Sequence, residues 1–111
     1  MAQPHADSGQ VVNLLADWPA STSAVLKAQC LEVIRLALPA GTRMPRHAAP
    51  GEITLLGVSG RMRLVLDDRS IAIGPGDFVH LKAGEPHAVE AHDDVRVLLT
   101  RCLRRPDQLP S

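Results

Sequence analysis

The chain is 111 residues long, enough for one domain with a real hydrophobic core and no dependence on disulfide or metal staples. Its 12 basic and 12 acidic residues cancel, and its large aromatics are limited to Trp18 and Phe78. Neither a long-range field nor a stacking platform is therefore available for nucleic acid or an anionic membrane.

Apolar residues make up 45% of the chain, so the core must be aliphatic, built from Val, Leu and Ile. No apolar run approaches the ~18 residues of a membrane helix. The opening MAQPHADSGQ lacks the basic-then-apolar order of a secretion signal. Cys30 and Cys102 lie far apart and match no zinc or redox spacing. Both read as reduced, buried thiols of a cytoplasmic protein, with an inter-strand disulfide as the alternative.

In chain order, residues 1–10 read as a polar, disordered leader holding Pro4 and Gly9. In VVNLLADWP, Val11, Leu14, Leu15 and Trp18 recur at helical spacing, but Pro19 stops the segment. That leaves either one amphipathic turn or an irregular edge strand. SAVLKAQ follows, then LEVIRLAL, in which Glu32, Ile34, Leu36 and Leu38 alternate with Leu31, Val33, Arg35 and Ala37. Both faces are largely apolar, as in a strand covered on two sides. PAG at 39–41 turns the chain, and ITLLGVSG leads through Gly60 into RMRLVLDD. There Met62, Leu64 and Leu66 share one face.

DDRS is a polar turn, IAI a short strand, and GPGD a tight turn rather than a phosphate cradle, since no Walker lysine or helix follows. FVHLKAG and HAVEA flank the turn GEP, and VRVLLTRCL is the last strand. The domain spans 11–104, with a polar tail over 105–111. About eight short, evenly spaced strands indicate an all-β antiparallel sandwich or barrel.

The segments GTRMPRHAAPGEITLLGVSG (41–60) and GDFVHLKAGEPHAV (76–89) resemble the two signature motifs of the cupin family. Gly41, His47 and Gly60 stand at the first motif's first glycine, first histidine and closing glycine. Gly76, Gly84 and His87 fall at the matching places of the second. The resemblance implies an antiparallel jelly-roll barrel of the small, single-domain, RmlC-like kind. It also implies a homodimer, often built by adding an N-terminal strand to the partner's sheet, a role that suits segment 11–30. Finally, it implies one divalent transition metal (nickel, zinc, iron or manganese) bound by family ligands of which His47 and His87 are present. The family's second histidine is Ala49 here and its glutamate is Ile53, while Lys82 and Ala91 replace a proline and an asparagine.

A catalytic transition-metal site usually needs three protein ligands. Glu52 is the first candidate to fill the gap. A regular strand would aim it outward, whereas a bulge at Gly51 would turn it back. His80, on the strand beside His87, is the second candidate, or else a surface histidine. Arg43 and Met44 are placed near the barrel entrance with Phe78, Arg43 as a counter-ion for an anion or a solvated side chain. Met44 and Met62 read as core filler, and Phe78 and Trp18 also fit as packing residues. His92 is a surface residue, and His5 belongs to the leader. Neither cysteine has a neighbouring base, and no nucleophile elbow appears.

Two function classes follow. One is a barrel that binds a small, partly apolar organic ligand near His47 and His87. Imidazoles there would also suit acid–base work, since the group titrates near neutrality. The other is a metal-dependent enzyme of the dioxygenase, isomerase or decarboxylase kind, with Glu52 or His80 completing the site. A third and weaker class is a transcription regulator acting through a partner, since the chain leaves no room for a helix-turn-helix.

Overall fold

The computed structural model describes residues 5–16 and 18–104. Nine strands lie among the described residues, with no helix. They are β1 (Ser23–Lys27), β2 (Leu31–Leu38), β3 (Arg43–His47), β4 (Ile53–Ser59), β5 (Met62–Leu66), β6 (Ser70–Ile73), β7 (Phe78–Leu81), β8 (His87–Ala91) and β9 (Val95–Cys102). They form a five-stranded sheet in the order β1-β2-β9-β4-β7 and a four-stranded sheet in the order β3-β8-β5-β6. Every paired neighbour is antiparallel. The two sheets face each other as a jelly roll, and no helix among the described residues is long and apolar enough to cross a membrane.

Alternation in each strand sets which residues enter the space between the sheets. On β5, Met62, Leu64 and Leu66 are buried while Arg63 is exposed, as the sequence pattern requires. Facing them, β2 and β9 pair Leu36 with Val97 and Leu38 with Val95. Ile53 and Leu55 of β4, Leu81 of β7 and Val89 of β8 complete the core. It is aliphatic throughout. Phe78 lies on the edge strand β7 and is 65% exposed, so it does not belong to the core.

The strand β3 goes beyond what the sequence pattern indicates, because Pro45 interrupts it. Its place explains the tolerance: β3 is an edge of the four-stranded sheet, and its pairing with β8 shifts register between Met44 and His47. A residue without an N–H is accommodated at an edge or a bulge. Of the segment 11–30, the part at 23–27 pairs with β2 of the same chain, and residues 14–16 form a turn rather than an edge strand. Asp17 of that segment lies outside the described residues.

Of the leader, Ala6 donates from its backbone N–H to the carbonyl of Val25 at 2.8 Å. Residues 1–4 and the 105–111 tail lie outside the described residues. Cys30 and Cys102 are free thiols. Cys30 lies in the bend before β2, outside the strand whose Leu31 stands opposite Cys102, and both thiols are partly exposed rather than buried.

Candidate functional site

His47 ends β3 and His87 begins β8, and the two residues stand directly opposite each other in the register of that pair. Their rings approach to a centroid distance of 4.3 Å at an interplanar angle of 58°. Each ring is held the same way. His47 donates from Nδ1 to the carbonyl of Pro45, and His87 donates from Nδ1 to the carbonyl of Glu85, both at 2.9 Å. A carbonyl only accepts, so each Nδ1 carries a proton, and Nε2 points away from that bond. His87 is buried and His47 is exposed at the rim.

The rings line one end of a cavity of about 220 Å³ between the sheets. The rest of its wall is largely aliphatic, with Leu36, Met44, Ile53, Leu55, Val89 and Leu99 among the lining residues. Ala49 also lines it, and the Ala49 carbonyl accepts from the backbone N–H of Gly84 at 2.9 Å. That bond ties the loop after β3 to the loop before β8, and so fixes the two segments that carry the histidines. Outside the cavity, Arg46 clamps Asp67 with two 2.9 Å bonds, Nε to Oδ1 and Nη2 to Oδ2. The hydrogen bond from Arg46 holds the exposed Asp67 carboxyl below the ordinary carboxylate range, and the same bond raises Arg46.

The other expected site residues divide. Met44 lies on the cavity wall. Glu52 and His80 do not join the histidine pair. They bind each other, His80 Nε2 to Glu52 Oε1 at 2.9 Å, with both side chains at least half exposed. The reason is alternation: Ile53 and Leu81 are buried, so their neighbours Glu52 and His80 point outward. Gly51 provides no inward turn, because it packs against the carbonyls of Cys102 and Arg104. Arg43 is exposed, opposite Glu90, and lines a separate surface hollow with Thr42 and His92. Phe78 faces outward on β7.

One charged residue of the cavity wall and its ion-pair partner lay outside the sequence-based candidates. Arg101 of β9 lines it, and Glu32 of β2 stands opposite Arg101 in register and binds it. Nε and Nη2 of Arg101 reach Glu32 Oε1 at 2.6 and 2.5 Å. A signal existed in the sequence: Glu32 keeps phase with Leu36 and Leu38, and Arg101 keeps phase with Val95, Val97 and Leu99.

The donor set does not fit a resident transition metal. His47 and His87 offer two nitrogen donors, while the family's other two ligand positions hold Ala49 and Ile53, both on the cavity wall. Among the described residues no group of three His, Cys, Asp or Glu side chains is placed to hold a metal ion. Two imidazoles fall short of the three protein ligands such centres use.

A model of the cupin domain matches residues 34–101. Among solved structures, a conserved protein of unknown function from Streptococcus pyogenes is 21% identical with a TM-score of 0.74, over 96% of each chain. An RmlC-like cupin protein from Desulfovibrio desulfuricans is 24% identical with a TM-score of 0.72, over 84% of this chain and 95% of the other. A putative mannose-6-phosphate isomerase from Ralstonia eutropha is 24% identical with a TM-score of 0.72, over 84% of this chain and 97% of the other. At these identities the likeness shows the fold alone. No curated protein matches. With the family motif covering most of the chain and the jelly roll matching solved members, the chain belongs to the cupin family.

Proposed function

We propose that this cupin binds a small organic molecule in the cavity between its sheets, with His47 and His87 as the polar contact. One observation carries the reading: a roughly 220 Å³, largely aliphatic cavity ends in two imidazoles whose Nε2 atoms are left uncommitted by their Nδ1 bonds. Such a site combines apolar burial with a few fixed polar groups, the usual composition of ligand pockets. Its volume lies below the ~300–1,000 Å³ typical of drug-sized ligands, so the ligand is of fragment size. A metal-dependent enzyme completed by Glu52 or His80 is not supported, since those side chains pair with each other on the outside.

The test is a histidine-selective NMR screen of short aliphatic acids, amides and alcohols, run on the protein and on Ala49→Phe, which fills part of the cavity. The reading expects at least one class to shift the His47 and His87 ring signals and raise the melting temperature, with both effects lost in Ala49→Phe. If the whole panel leaves both rings unperturbed in the folded protein, the reading is overturned.

A further inference from the structure

Ile53 occupies the place of the family's anionic metal ligand, and its directly opposite partner on β9 is Arg101. Both line the cavity. A position that would supply a carboxylate to a cation is thus aliphatic in this chain, with a guanidinium from the next strand beside it. That exchange takes a negative group out of the cavity wall and leaves a guanidinium, already paired with Glu32, beside it. A fixed cation disfavours a second cation nearby and attracts an anion.

Arg101 is also held in a useful pose. Of the five N–H groups of a guanidinium, the one on Nε donates to Glu32 Oε1, and Nη2 lies against the same carboxylate oxygen. The others are not spent on Glu32. The Glu32 side chain is largely buried, so it anchors the fork from the sheet side, while the Arg101 head stays half exposed. Glu32 weakens the net field but fixes the orientation, and an oriented guanidinium fork recognises a planar carboxylate better than a free ammonium does. The remaining cavity wall suits a short aliphatic tail.

We propose that the cavity takes a small aliphatic carboxylate, its carboxylate held by Arg101 with no metal bridging it to the protein. This rests on the ligand-binding reading above and names the ligand's chemical class. Arg101 acts as the specificity-determining residue and Glu32 as its positioning residue.

Calorimetric titration of chelator-treated, dialysed protein with isovalerate and with isovaleramide at neutral pH tests it. These two probes share a shape and differ in charge. The expected result is at least tenfold tighter binding of the acid. That preference should be lost in the double variant Arg101→Gln/Glu32→Gln, which leaves no charge buried without its partner, and be partly kept in Arg101→Lys. Equal binding of acid and amide, or an acid preference that survives the double variant, overturns this proposal and leaves the ligand-binding reading standing. An acid preference that appears only after zinc or nickel is added also overturns it. If neither probe binds and the NMR panel fails as well, the ligand-binding reading falls with it.

Discussion

Each cavity imidazole is anchored by the carbonyl two residues before it, Pro45 for His47 and Glu85 for His87. This local device fixes the ring and its tautomer together, as outer partners do for metal-binding histidines, and it persists here beside Ala49 and Ile53. Whether a side chain reaches this site depends on its phase in a strand and on which strand lies alongside. His47 and His87 were legible because their positions in two spaced motifs are a property of the sequence. Arg101 was legible only in its phase with Val95, Val97 and Leu99, because its neighbours Glu32 and Ile53 lie 69 and 48 residues away in sequence and meet it only through sheet register. Glu52 and His80 were misplaced for a related reason: the outcome hinged on whether the chain bulges at Gly51, and packing against β9 decides that.

At the same scale, the Arg46–Asp67 clamp gives a pH prediction with a definite sign. Its hydrogen bond lowers the Asp67 carboxyl in the folded protein. The clamp therefore favours the folded state above the unfolded carboxylate pKa, and that contribution disappears as pH falls through the lower folded value. Since both side chains are well exposed, the effect is small and sensitive to salt. An NMR titration should find Asp67 titrating below an ordinary aspartate, and rising to the ordinary range in Arg46→Gln. An unchanged midpoint in that variant would contradict the assignment.

At the level of elements, the strands were readable wherever polar and apolar residues alternate, as in β5. They were obscure where structure defies local propensity, as in β3, whose Pro45 reads as a break. The same scale explains why the loop between β6 and β7 lies so close to Gly57 of β4. Its N–H donates to the Asp77 carbonyl at 2.8 Å, its carbonyl accepts from Gly76 at 2.9 Å, and a Cβ there would overlap the Gly74 carbonyl. Gly76, two residues on from Gly74, has φ +85° but open space around its missing Cβ. Gly57→Ala should cost about 2 kcal/mol or more through backbone overlap, whereas Gly76→Ala should cost only about 1 kcal/mol through its positive φ. Urea unfolding of the two variants measures the difference, and equal losses would contradict the close approach.

For the whole molecule, one inherited shape serves two separable purposes. The aliphatic sheets and their register build a cavity, and that part of the family pattern survives in full: the motif glycines turn the chain and both histidines reach the cavity wall. The ligand set for a metal does not survive, because two of its positions have joined the apolar lining. Jelly-roll architecture was legible because strand spacing and the paired motifs are both carried by the sequence. The site was only half legible: the missing ligands can be read directly, while the pairing of Glu32 with Arg101 comes from sheet register.

The cavity is present while only two of the family's metal-ligand positions carry donors. The most direct test of this reading is the metal content of protein purified without a histidine tag or chelator, beside His47→Ala. Well under one nickel, zinc, iron or manganese ion per chain is expected, with no difference between the two proteins. About one ion per chain, lost in His47→Ala, would contradict it.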